Sequence, residues 1–191
     1  MDDAGFERAV VAGNSLGGYL ALRLAERERA ERVVAFAPAG GWAPGDESPR
    51  ALLDSQAELA ARARAFAPQA AALLATQDGR RRVSEDLTVE YEHIPAELLD
   101  HLVTGIAACP AAEALIEAAR RDGWPLDPAR ITCPVRIAWG TEDRLLPWPT
   151  AAAGLRARLP QADWIELEGV GHCPPLDVPQ EAAGLILGPP V

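Results

Sequence analysis

The passage from residue 8 to residue 29 restricts this chain more than any other. A short apolar run over 8–12 stops at Gly13-Asn14-Ser15-Leu16-Gly17-Gly18. An apolar run of that length ending in small turn residues reads as a buried strand and a sharp turn. From Leu16 the period changes. Leu16, Leu20 and Leu24 recur at i, i+4 and i+8, with charge gathering from Arg23, as in an amphipathic helix reaching residue 29. A second apolar run at 32–37, closed by Pro38, Gly40 and Gly41, reads as another buried strand. Strand, helix and strand within forty residues predict parallel neighbours joined by a right-handed crossover.

Beyond residue 41 the pattern differs. Ala-, Leu- and Arg-rich stretches at 50–66, 68–77, 95–108 and 111–121 carry helical periodicity, and nothing between 42 and 127 reads as strand. Prolines and the turn signal Gln77-Asp78-Gly79 separate these stretches. Alternation resumes with a strand at 134–140, a helix at 149–159 opened by Pro149, a period-2 strand at 162–168 and a last helix at 179–187. The expected fold class is α/β, with about four parallel strands and flanking helices formed by residues 1–41 and 128–191. Residues 42–127 are then an all-helical insertion, too long for a simple connection and of the kind that commonly lies over a site.

Composition narrows the function classes. The 191 residues are 49% hydrophobic and 24% charged, which is ordinary for a globular chain. A net charge of -10 repels phosphate backbones and anionic lipid, so a small molecule is the expected partner, not nucleic acid or a membrane surface. No apolar run approaches the roughly 18 to 20 residues of a membrane span. No basic segment leads into an apolar one at the start, which points to a cytoplasmic protein. Cys109, Cys133 and Cys173 are odd in number and form no C-x-x-C pair, so idle thiols are expected, not a disulfide or a zinc site. Every basic residue is Arg, a mark of GC-rich coding, not of function. The chain holds four Ser and three His, so chemistry that needs both types has few candidates.

Gly13-Asn14-Ser15-Leu16-Gly17 is the strongest of them. It is a G-x-S-x-G pentapeptide between a predicted strand and a predicted helix, the setting in which a serine hydroxyl stands exposed on a strained turn. Small residues two before and two after Ser15 let strand and helix approach, and Gly18 adds another small position. The nearby helix N-terminus favours developing negative charge. Serine is a weak nucleophile without a base held in orientation. Asp143 follows the third predicted strand in Gly140-Thr141-Glu142-Asp143-Arg144, and His172 follows the fourth in Gly169-Val170-Gly171-His172-Cys173-Pro174. Both therefore fall on the carboxyl edge of the sheet with Ser15, where catalytic groups of open α/β sheets collect. Asp143 also fits as a turn or helix-capping residue, His172 as an ordinary loop histidine, and Glu142 competes for the acidic position.

Taken together, the elbow G-N-S-L-G-G at 13–18, the acid loop G-T-E-D-R-L-L-P at 140–147 and the base loop G-V-G-H-C-P at 169–174 resemble the α/β-hydrolase superfamily. The order Ser, Asp, His is the order of that fold. The resemblance implies Ser15 as nucleophile, His172 as general base and then acid, Asp143 as the group orienting the imidazole, and the Leu16 N–H as an oxyanion donor. It also implies that 42–127 is a helical cap. Serine at the elbow, in place of aspartate, separates the chain from the dehalogenase and epoxide-hydrolase branches. Members usually carry about four strands ahead of the elbow strand, with a His-Gly-type turn that gives a second oxyanion N–H. Only residues 1–7 precede the elbow strand here, so the chain is expected to be the C-terminal portion of a longer hydrolase. Its Val10-Val11 strand is then an apolar sheet edge, open to strand pairing or to a homo-oligomer.

Asn14, Trp42, Trp124 and Trp148 flank the predicted site and the junctions with the insertion, and are the candidates for lining a substrate pocket. His93 and His101 read as residues of the insertion, Arg80-Arg81-Arg82 as a solvated face after a turn, and Glu113 with Glu117 as a helix face without a histidine to complete a metal site. No metal or organic cofactor is expected. The expected activity is hydrolysis of a small or medium, partly apolar ester, thioester or lactone through an acyl-enzyme. Cleavage of a carbon–carbon bond beside a ketone uses the same three groups and is the alternative. From a different class, the alternative is a non-catalytic remnant that binds a ligand or assembles.

Overall fold

The computed structural model describes residues 1–40, 42 and 48–188. Gly41, expected to help close the second strand, and residues 43–47 of the insertion lie outside the described residues. Four strands, β1 (Ala9–Asn14), β2 (Ala30–Phe36), β3 (Val135–Gly140) and β4 (Asp163–Leu167), form one parallel sheet in that order. Helix α1 (Leu16–Glu26) connects β1 to β2. It stops short of residue 29 because Glu28 takes a left-handed φ of 59° and the chain turns into β2 at Ala30.

Register explains how the layers form. Gly13 pairs with Ala35, and its absent Cβ would lie 2.3 Å from the carbonyl of Gly17, so this face of the sheet carries α1. Ala12 pairs with Val34 and Asn14 with Phe36, which puts these residues on the opposite face. There Val34, Phe36, Ala138 and Leu167 pack with Val170, Ala182, Leu185 and Ile186. The last four side chains come from the base loop and from α9 (Pro179–Leu187). Arg32 and Arg136 hold the end of α9 through the carbonyls of Leu185, Ile186 and Gly188, completing acceptors that a helix C-terminus leaves open. That cluster contains no β1 residue, and Val10 stays 47% exposed on an unpaired sheet edge.

Two compact units divide the chain. The first comprises Met1–Ala43, Leu87–Val89 and Trp124–Val191, and holds the sheet. The second comprises Pro44–Asp86 and Glu90–Gly123. In it, α2 (Ser48–Phe66) packs on α5 (Ala96–Ala108) and α6 (Ala112–Asp122), and α3 (Ala70–Leu74) packs on α5. Ion pairs Arg64–Glu113 at 3.0 Å and Arg120–Asp54 at 2.6 Å join α2 to α6. The residues Gln77-Asp78-Gly79, expected as a turn, are instead the first turn of α4 (Gln77–Ser84). Thr76 caps it, its hydroxyl accepting from the Gly79 N–H at 3.0 Å. The Arg80-Arg81-Arg82 run is therefore helical, with Asp78 pairing to Arg81 at 2.9 Å and to Arg82 at 2.8 Å. No single described helix is long and apolar enough to cross a membrane.

In the first unit, residues 149–152 run as turns, and α7 (Ala153–Arg158) is shorter than the expected 149–159. A further helix, α8 (Pro174–Asp177), follows directly after His172. The glycines around Ser15 are not equivalent. Gly13 meets the backbone of Gly17, and Gly18 meets Pro38 at 2.9 Å, whereas a Cβ on Gly17 finds open space. Gly13→Ala is therefore expected to destabilise the fold by about 1–3 kcal/mol through overpacking and to lower Tm by roughly 2–4 °C for each of those kcal/mol. Gly17→Ala is expected to leave Tm unchanged or raise it. Calorimetric scans of the two variants check this, and equal losses in both would contradict the packing assignment.

Candidate active site

Ser15, Asp143 and His172 lie just past the ends of β1, β3 and β4. Ser15 adopts φ 53° and ψ -116°, a conformation that a non-glycine residue holds only when its surroundings enforce it. The enforcement is visible. Its N–H donates to the Phe36 carbonyl at 2.9 Å, and its carbonyl accepts from Tyr19 at 3.0 Å and from Ala39 at 3.1 Å. The hydroxyl is not used to cap α1. Leu16 is the first residue of that helix, so its N–H has no intrahelical acceptor.

On the facing loops, Nδ1 of His172 lies 2.8 Å from Oδ2 of Asp143. Both residues are buried, at 3% and 4% exposure. Oδ1 of Asp143 accepts from the N–H groups of Leu145 at 2.9 Å and Leu146 at 2.8 Å. With the carboxylate as acceptor, Nδ1 carries the proton and Nε2 is left as the basic nitrogen. Glu142, the competing acid, is exposed, and its N–H donates to the Val170 carbonyl at 3.0 Å. Thr141 adds two further ties between the acid and base loops, donating to the Leu167 carbonyl at 3.0 Å and accepting from the Gly169 N–H at 2.9 Å.

The expected pocket residues separate into three settings. The Asn14 amide donates to the Phe36 carbonyl at 3.1 Å and to the His172 carbonyl at 2.8 Å, so it ties the base loop to the turn that carries Ser15. Trp42 and Trp124 come together, with ring centroids 5.6 Å apart, and Tyr19 meets Trp124 edge-on at 5.0 Å. This cluster stands one helical turn beyond Ser15, against Gly40 at the end of β2. The structure places Trp148 away from them, between Trp139 at 6.1 Å and Trp164 at 6.5 Å, with the Arg156 guanidinium 5.5 Å from its ring centre. Flat rings and a cation hold it on the β3–β4 flank. His93 and His101 are both exposed residues of the second unit. Among the described residues, no three His, Cys, Asp or Glu side chains are arranged to hold a metal.

A family model described as the alpha/beta hydrolase family matches residues 2–185. The chain belongs to that family. A curated relative, the epoxide hydrolase EphH of Mycobacterium tuberculosis, is 27% identical over 191 residues, covering 97% of this chain and 87% of the relative. Among solved structures, a bacterial membrane phospholipase A superposes with a TM-score of 0.65 at 24% identity, over 94% of this hydrolase-family chain and 56% of the other. An esterase from Thermogutta terrifontis gives a TM-score of 0.61 at 22% identity, over 97% and 65%. A carboxylesterase from Bacillus subtilis gives 0.62 at 21%, over 98% and 63%. The chain thus spans 56–65% of the length of these solved relatives, and the likeness to them is one of fold.

Two further contributors to the base loop belong to no motif. Asp177 is buried five residues after His172, and its carboxylate accepts from the Gly171 N–H at 2.7 Å and the Val89 N–H at 2.9 Å. Residues Leu87–Val89 form a short strap against the base loop. Neither carries a local pattern, and the strap lies in the connection between α4 and α5. Beside the base, the Cys173 thiol is pushed up to about 11 by burial, with the Asp177 charge adding to the effect. A thiol raised from its ordinary 9.0 in the folded state keeps a proton that the unfolded chain releases. Its contribution to stability is thus complete below pH 9.0 and is lost as pH rises towards 11. Thermal melts between those limits are expected to show a steeper alkaline loss for the native chain than for Cys173→Ala. Identical slopes would contradict the burial of the thiol.

Proposed function

We propose that this chain is the catalytic portion of a serine hydrolase acting on a small or medium, partly apolar ester, thioester or lactone. The observation that supports this reading best is the buried Asp143–His172 pair, tied through Asn14 to the strained turn that presents Ser15. In this reading Ser15 Oγ attacks the carbonyl carbon while Nε2 of His172 accepts its proton. The Leu16 N–H receives the oxyanion, where preorganised donors are worth most. Collapse expels the alcohol or thiol, which takes the proton from His172. Water then attacks the acyl-enzyme, His172 accepts a proton from it, and Ser15 is restored as the acid departs. Asp143 holds the ring in one tautomer and balances the imidazolium charge without being protonated. The Tyr19, Trp42 and Trp124 rings supply apolar surface for the acyl or alcohol part.

The relative named as an epoxide hydrolase raises a second chemistry. A carboxylate that opens an epoxide gives an ester, and water can then cleave that ester at its carbonyl. A serine oxygen would give an ether, which has no carbonyl to attack. Ser15 therefore favours an acyl substrate over an epoxide. Hydrolysis of p-nitrophenyl butyrate tests the proposal. The native chain is expected to turn over, Ser15→Ala to lose about 10³-fold or more, and Asp143→Asn on the order of 10²- to 10⁴-fold. Absence of turnover would support the non-catalytic alternative. Styrene oxide opening that survives Ser15→Ala would overturn the role given to Ser15.

A further inference from the structure

We propose that Asp177 is a positioning residue for His172, acting through the strap Leu87–Val89; the proposal rests on the hydrolase reading above. The backbone on both sides of His172 is held by this pair. Before it, the Gly171 N–H donates to Oδ2 of Asp177 at 2.7 Å. After it, the Cys173 N–H donates to the Leu87 carbonyl at 2.8 Å. Oδ1 of Asp177 accepts from the Val89 N–H at 2.9 Å, so one carboxylate fastens the strap to the base loop. The His172 carbonyl goes to Asn14 and its ring to Asp143. These contacts hold the two flanking N–H groups, the His172 carbonyl and Nδ1 of its ring.

The fit is tight as well as bonded. A Cβ on Gly171 would lie 3.0 Å from Oδ2 of Asp177, 3.0 Å from the Leu87 carbonyl oxygen and 3.1 Å from Cα of Thr88. Thr88 is buried at 4% exposure and Asp177 at 8%. Charge-assisted bonds to backbone N–H groups are about twice as strong as neutral ones, and a buried carboxylate needs them. Asp177 binds backbone N–H groups of the base loop and the strap, so its effect is on where Nε2 sits. The strap belongs to the first unit although the chain enters it from α4 and leaves it towards α5, both of the second unit. The placement of the base therefore depends on a segment that the insertion supplies.

Asp177→Asn is nearly isosteric and removes the charge and one of the two acceptors. Gly171→Ala leaves every donor and acceptor in place and wedges the strap away. Each is expected to lower kcat for p-nitrophenyl butyrate by about 10- to 100-fold, the scale of a displacement of 1 Å or less, with KM within about two-fold of the native value. The second readout needs no turnover. In ¹⁵N-histidine-labelled protein, the Nδ1–H proton of His172 is expected as a separate, slowly exchanging resonance in the native chain and as a broadened one in both variants. Variants that fold with kcat and this resonance unchanged would overturn the proposal. Failure of both variants to fold would equally overturn it, in favour of a purely structural role. If the native chain shows no ester turnover, the hydrolase reading fails by itself, and the resonance comparison still decides this one.

Discussion

A carboxylate taken out of water is costly unless donors surround it, and Asp143 is given three. Two are backbone N–H groups of its own loop and the third is the ring of His172. Much of the carboxyl edge of the sheet can be understood from this one group. The loop after β3 must curl tightly enough for Leu145 and Leu146 to reach back to it. The loop after β4 must bring an imidazole to its other oxygen. The ties through Thr141, Glu142 and Asp177 stitch these loops to each other and to the strap, so that the contact does not depend on one hydrogen bond.

Ser15 poses the opposite problem, a residue held in an unfavourable conformation instead of a charge held in an unfavourable place. A single such φ costs of order 1–3 kcal/mol. That cost is offset locally by bonds from Ser15 to Phe36, Tyr19 and Ala39, and by the close approach of α1 to β1 that Gly13 permits. Asn14 joins the two problems. It is the last residue of β1 and lies on the face opposite α1, the side on which the base loop arrives. Its amide can reach that loop while the next residue turns over the helix.

Much of this was legible in the sequence because it follows from period and position. Strands show as apolar runs, and Ser15, Asp143 and His172 each follow one of them, although β1, expected as a buried strand, is an edge strand with no buried residue. What was not legible depends on tertiary contact. The strap has no apolar period or motif of its own and is meaningful only beside the base loop. The sequence offers Asn14 as pocket lining because it stands beside Ser15, and it carries no sign that the Asn14 amide bonds to the base loop. Gly17 matched the elbow pattern, but Gly13 and Gly18 carry the close approaches. Gln77-Asp78-Gly79 reads as a turn until Thr76 caps it and Asp78 takes its two arginines. In the sequence Trp42, Trp124 and Trp148 all stand near predicted junctions, and only the ring contacts separate Trp148 from the other two.

In the proposed chemistry, Ser15 is an activated nucleophile served by His172. Treatment with diethyl p-nitrophenyl phosphate, followed by intact mass measurement and peptide mapping, tests it most directly. The expected result is one diethylphosphoryl group per chain, carried on Ser15 and lost in His172→Ala. An unmodified chain, a label on another residue, or equal labelling in His172→Ala would contradict it.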